Sequence, residues 1–171
     1  MKDLKKLIRD VPDFPRPGII FKDITTLVKN GPAFHKVIDI LSKRYKDKRI
    51  ERVVVVESRG FIIGSALAYK LGAGVALIRK KGKLPAATVQ ESYKLEYGVD
   101  TLELHRDAIS SNMRVLIVDD LLATGGTAKA AAKLVKKLGG KITGICFLIE
   151  LEFLKGSRNL KGYDIFALLK Y

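Results

Sequence analysis

Apolar residues along this chain fall into two kinds of pattern, and their alternation sets the expected architecture. Val53-Val54-Val55-Val56 and Val115-Leu116-Ile117-Val118 are unbroken apolar runs, which is how strands covered on both faces read. Val75 to Ile78 and Ile142 to Ile149 look similar. Between these runs the period becomes helical. After Pro32, which suits a first-turn position, Phe34, Val37, Ile38, Leu41 and Tyr45 recur on one face. Phe61 to Leu71 predicts a second helix, closed by Gly72. Thr127 to Leu138 predicts a third, with Ala131, Leu134, Val135 and Leu138 on one stripe and Gly139-Gly140 as its stop. Lys129, Lys133, Lys136 and Lys137 lie off that stripe and read as a solvated face.

The middle of the chain behaves differently. From Thr88 to His105 apolar and polar residues alternate, Tyr93, Leu95 and Tyr97 against Ser92, Lys94 and Glu96, with Leu102 and Leu104 after Gly98. That is the period of an antiparallel hairpin. Lys80-Lys81-Gly82-Lys83-Leu84-Pro85 before it predicts a mobile basic loop, and such an insertion can serve as a lid. Runs alternating with helices imply an α/β fold, a mainly parallel twisted sheet flanked by helices with an antiparallel excursion. No composition shift, linker or repeat divides the sequence, so residues 1–171 are expected to form one domain with a short N-terminal extension.

Composition adds limits. At 171 residues, 47% apolar and 29% charged, the chain has the makeup of a globular domain. No run of 18 apolar residues is present, so no membrane partner is expected. The first ten residues lack the apolar block of a secretory signal. The single Cys146 excludes an internal disulfide framework and fits a reducing compartment, so a cytoplasmic location is expected. It stands in an apolar stretch and reads as an inert thiol. His35 and His105 lack metal-ligand spacing. A net charge of +14 favours polyanions, from nucleic acid to phosphorylated small molecules. The lysines are spread along the chain and do not choose among these.

Chemistry concentrates where an apolar run meets a loop. In Val115 to Thr127 a buried strand is expected to end in Asp119 and Asp120, pass through Leu121-Leu122-Ala123-Thr124-Gly125-Gly126, and enter a helix at Thr127. Ligands of open parallel sheets bind at the carboxyl ends of strands. Glycines let the backbone approach a ligand, and amides at a helix start favour phosphate. Thr124 and Thr127 add hydroxyls, and the two acids suit sugar hydroxyls, or a metal-bound cluster, beside the phosphate. A Walker-type loop is excluded by the missing Gly-Lys-Ser/Thr ending. Glu57-Ser58-Arg59-Gly60 forms a second strand-to-helix junction, where Arg59 offers a planar fork for pyrophosphate oxygens. Asp13 to Thr25 reads as a proline-stiffened loop feeding a short strand, with Phe14 and Phe21 as anchors.

The 115–127 stretch resembles the phosphoribosyl-diphosphate (PRPP) signature of type I phosphoribosyltransferases: four apolar residues, two acids, then small residues with Thr-Gly-Gly-Thr. In that company, residues 57–61 resemble the family's pyrophosphate loop, with Glu57 where some members carry aspartate. Residues 13–25, 79–85 and 92–98 are similar to segments of the adenine phosphoribosyltransferases within that family. The likeness covers nearly the whole chain, including Ser157 to Tyr171. It differs at Lys22 and Thr26, where members often carry arginine and proline.

The resemblance implies the type I fold, with residues 1–27 as a hood over the base and 80–106 as a flexible catalytic loop region. It implies phosphoribosyl transfer from PRPP to adenine, giving AMP and pyrophosphate. Phe21 would stack on the purine while backbone groups of Ile20 and Lys22 read its edge. The 5-phosphate would sit on Ala123 to Thr127, with Leu121 beside it, and the ribose hydroxyls would face Asp119 and Asp120. Pyrophosphate would lie at Ser58 and Arg59, with Arg79, Lys80 and Lys83 lining its site, some reaching a neighbouring subunit. Glu96 would be the acid/base, with Tyr97 beside it, although its place on a polar face reads as surface. Mg²⁺ would be held mainly through PRPP and pyrophosphate, and the protein would be a homodimer. Two other readings are a xanthine or hypoxanthine transferase of the same fold and a PRPP-sensing regulator of nucleic acid. Nothing before residue 10 resembles a winged-helix or helix-turn-helix unit, so nucleic acid is not an expected partner.

Overall fold

The apolar runs form the centre of a seven-stranded sheet of order β5-β6-β4-β3-β7-β8-β9. The computed structural model describes residues 2–95 and 98–171. Its main strands are β3 (Arg52–Val56), β4 (Gly74–Lys80), β7 (Arg114–Leu122), β8 (Lys141–Glu150) and β9 (Ile165–Lys170). All their neighbour pairings are parallel. The hairpin strands β5 (Thr88–Leu95) and β6 (Gly98–His105) add to the β4 edge antiparallel, as the period-two pattern predicts.

Two cores explain why the central runs never alternate. Val53 and Val55 of β3, with Leu116 and Val118 of β7, face one apolar layer. Val54, Val56, Val115 and Ile117 face the other. Helices α3 (Gly31–Tyr45) and α4 (Gly60–Leu71) cover the first face, and α5 (Gly126–Lys137) covers the second. Each core strand is therefore apolar on both sides. Cys146 is fully buried in the first layer, and burial pushes its thiol up to about 12, which keeps it inert.

Three sequence expectations are corrected. Strand β7 does not end at the two acids but runs on through Leu121 and Leu122, which were expected in the loop. Its pairing with β8 continues past both acids, so backbone bonding carries the carboxylates on the sheet. Helix α5 buries more than the predicted stripe, because Ala128, Ala130 and Ala132 are small enough to press against its neighbours as well. Its lysines are not all free in solvent either. Lys133 and Lys137 hold Glu91 of β5 at 2.6 and 2.7 Å, fastening the base of the hairpin.

At the N-terminus, α1 (Lys2–Lys5) precedes a small antiparallel pair, β1 (Arg9–Pro12) and β2 (Ile20–Asp23), and α2 (Thr25–Val28) follows. Asp23 accepts from Arg9 Nε at 3.0 Å and from the Thr25 amide at 2.8 Å. Those bonds, Arg9 above all, hold its carboxyl down at about 2. The far end of the chain braces this hairpin. The ammonium groups of Lys5 and Lys22 lie 4.6 and 4.3 Å from the Tyr171 ring centre, and the Tyr171 hydroxyl donates to the Lys5 carbonyl at 3.3 Å.

Candidate functional site

Strand β3 leads through α4 to β4 on one side, while β7 leads through α5 to β8 on the other. The carboxyl ends of β3 and β7 therefore flank the point where the winding reverses, the place such sheets leave open for ligands. A cleft of about 530 Å³ lies there. Both flanking helices begin at its rim with no side-chain cap, α4 after Arg59 and α5 after Gly125. At α4 the Phe61 and Ile62 amides turn back to the Ser58 and Arg59 carbonyls at 3.2 Å, so it is chiefly the α5 start that offers free amides, and the dipoles of both helices favour an anion. Gly125 takes φ +84°, a left-handed turn that glycine adopts without strain.

The floor of the cleft holds the two acids. Asp119 and Asp120 are 8% and 5% exposed, and the Asp120 amide donates to Asp119 Oδ1 at 2.8 Å. Burial pushes both carboxyls up, and the neighbouring charge of Asp120 raises Asp119 further. Arg59 opposes the rise at Asp120, standing 2.6 Å from its Oδ2 in an ion pair without a hydrogen bond. The same guanidinium lies 4.6 Å from the Phe21 ring centre. Arg59 thus joins the acid-floored cleft to a second cavity of about 370 Å³ lined by Val11, Phe14, Phe21, Asp23 and Thr25. There Phe14 meets Phe21 edge to face at 5.1 Å. One hollow is polar and fit for phosphates and sugar hydroxyls; the other is aromatic and fit for a flat heterocycle.

Over residues 23–165 the chain matches the family described as "Phosphoribosyl transferase domain". It is 58% identical over 171 residues to the adenine phosphoribosyltransferase of Geotalea daltonii, covering 100% of both chains. The chain belongs to the adenine phosphoribosyltransferase family. The solved adenine phosphoribosyltransferase of Thermoanaerobacter pseudethanolicus superposes with a TM-score of 0.97 at 50% identity, covering 99% of each chain. That of Saccharomyces cerevisiae, complexed with D-2,5-dideoxy-2,5-imino-altritol 1,6-bisphosphate and adenine, gives 0.94 at 39% identity, covering 98% of this chain and 97% of its own.

In this adenine phosphoribosyltransferase the fold gathers most of the residues singled out from sequence. Ser58, Arg59, Lys80, Asp119, Asp120 and the stretch from Leu121 to Thr127 line the cleft. Phe21 lines the adjoining cavity. Ile20 is 57% exposed beside it. Lys22 does not line that cavity, and its side chain bonds Asp10 at 2.7 Å. Arg79 and Lys83 do not line the cleft. Arg79 Nε donates to Glu57 Oε2 at 2.7 Å, and Lys83 is exposed. Glu96 and Tyr97 lie outside the described residues.

Among the polar side chains lining the cleft, Tyr93 and Asp100 escaped the sequence reading. Asp100 stands 3.1 Å from Lys80 Nζ and raises that ammonium's pKa, chiefly by hydrogen bonding to it. The hairpin's alternation was a signal for Tyr93, but only the pairing of Tyr93 with Asp100 brings both to one face. No group of three or more His, Cys, Asp or Glu able to hold a metal ion occurs among the described residues. The acids lining the cleft, Glu57, Asp100, Asp119 and Asp120, form no such group, and the floor pair suits a Mg²⁺ brought in by substrate phosphates rather than a dedicated cage.

Proposed function

We propose that this chain carries out purine salvage, moving the phosphoribosyl group of PRPP onto adenine to give AMP and pyrophosphate. The observation that carries the proposal is the pair of uncapped helix starts facing each other across a cleft floored by two buried acids, beside an aromatic cavity. In this reading the 5-phosphate lies on the amides and hydroxyls of residues 123–127. The ribose hydroxyls bind Asp119 and Asp120, and adenine rests on Phe21, read by the Ile20 and Lys22 backbone.

The bond from ribose C1 to the pyrophosphate oxygen breaks, and adenine N9 forms the new bond to C1. Positive charge gathers on the sugar in between, and the two floor acids, which that charge draws toward the ionised form, stabilise it. Ser58, Arg59 and Lys80 take up the charge of the leaving pyrophosphate. A Mg²⁺ would be held mainly through PRPP and pyrophosphate, with Asp119 and Asp120 at hand, and would supply charge screening for the leaving oxygens. The proton on adenine N9 departs to Glu96. Residues 80–106 close over the site to exclude water, while 1–27 form the hood.

The assembly is a homodimer in the cytoplasm. Support for the dimer comes from apolar side chains exposed on α4 and β4, where Tyr69 is 90% exposed and Ile62, Val75 and Leu77 are open. For the compartment, support comes from the lone buried thiol and from the absence, among the described residues, of a helix long and apolar enough to cross a membrane.

One assay tests the reaction. The protein is given PRPP, Mg²⁺ and each purine in turn, and pyrophosphate release is followed. Release with adenine alone is expected. Release with hypoxanthine or xanthine instead, or with none, would overturn the assignment.

A further inference from the structure

The loop 123–127 does not hold its shape alone. After β8, two short 3-10 turns, Glu152–Leu154 and Gly156–Leu160, bring the chain back over it. Asn159 Nδ2 donates to the Thr124 carbonyl at 2.8 Å. The contact beside that bond is backbone against backbone. A Cβ on Gly156 would stand 2.0 Å from the Ala123 carbonyl oxygen and 3.0 Å from the Gly125 nitrogen. A Cβ on Gly125 would meet the Gly156 carbonyl oxygen at 2.5 Å. Gly156 is buried, and Leu160, in the same turn, is anchored in the core. Side chains are absent at the two places where they would wedge these segments apart.

We propose that Gly156 and Asn159 are positioning residues for the phosphate loop, setting its affinity for the 5-phosphate without touching substrate. The physical reason lies in the peptide joining Thr124 to Gly125. Its C=O and N–H point in opposite directions. Tethering the carbonyl to Asn159 turns the Gly125 amide away from the 3-10 turn, and Gly125 lines the cleft on its other side. An untethered peptide can rotate and withdraw that donor. Asn159 itself is exposed, so replacing it leaves the core untouched.

The inference rests on the proposed seat of the 5-phosphate, and the test separates the two. Binding of AMP and of adenosine, which lacks only the phosphate, is measured by calorimetry for Asn159→Ala and Asn159→Leu, the latter keeping the volume without the donor. AMP should bind about five- to tenfold more weakly in both, as for one lost neutral hydrogen bond, with adenosine unchanged. KM for PRPP should rise alike while KM for adenine holds. Gly156→Ala should cost more on the AMP side, with its thermal unfolding checked for intact folding. Thr127→Val serves as the reference within the loop. If Thr127→Val weakens AMP while both Asn159 variants keep it within twofold, the brace is wrong and the phosphate seat stands. If Thr127→Val also leaves AMP unaffected, the seat and the brace fall together. Equal losses for AMP and adenosine would mark Asn159 as merely structural and overturn the proposal.

Discussion

Helices α3 and α5 begin in opposite ways, and the contrast separates what holds this molecule together from what it does. Helix α3 closes its own start. Asn30 accepts from the Ala33 amide at 3.0 Å, and a proline fills the first turn, where no donor is needed. Helix α5 begins with a left-handed glycine and no side-chain cap, and α4 likewise begins uncapped. Capping at Ncap is worth about 1 kcal/mol, and two helices forgo it where they border the cleft. The same forfeiture recurs on the cleft floor, where two carboxylates are buried beside each other with one arginine between them and solvent. Stability is left incomplete where the ligand is to complete it.

The sharpest way to break this contrast is Asp119→Asn. Turnover in steady-state pyrophosphate release should fall about 10²–10³-fold, equivalent to about 2.7–4 kcal/mol of lost charge stabilisation. The free protein should become more stable at neutral pH. Above the ordinary value of 3.8 the unfolded chain has released a proton that the folded Asp119 still holds. Stability therefore falls as pH rises from there through the raised native value. The variant should flatten that slope in melts taken across pH. A variant that loses activity and stability together would show the acid to be a structural member.

Next in size is the ligand itself. AMP at about 100 times its Kd should stabilise the fold by about 2.7 kcal/mol, or roughly 5–10 °C in Tm for a chain of this length. In Asn30→Ala that increment should be unchanged, because the α3 cap lies outside the site. The smallest effect is the cap. Asn30→Ala should lower stability by about 1 kcal/mol, a fall in Tm of about 2–4 °C, with kcat and KM as in the parent chain. A change in KM there would blur the division between the two kinds of helix start.

Much of this was legible before any coordinates. The valine runs of β3 and β7 announce burial on both faces because their residues are apolar at every position, not every second one. The Thr-Gly-Gly-Thr loop carries its chemistry locally, in flexible backbone and hydroxyls. Other features depend on contacts distant in sequence. Leu121 and Leu122 read as loop because the paired acids before them look like a strand end, and only pairing with β8 keeps them on the sheet. Lys133 and Lys137 read as solvated because Glu91, their partner, lies 42 residues away from Lys133. Asp100 enters the cleft through a hairpin register that no local pattern states. Gly156 and Asn159 gave no signal at all, since their partner is the backbone of another loop.

The clasp of Tyr171 on Lys5 and Lys22 has a consequence for synthesis. A ribosome delivers residue 171 after every other part of the sheet, while β1 and β2 have been waiting since the first two dozen residues emerged. The hairpin beside the aromatic cavity thus gains its outer fastening only when β9 has docked. A segment made before the sheet is thus secured after it, and the aromatic cavity beside that segment gains its full support only once Tyr171 has emerged.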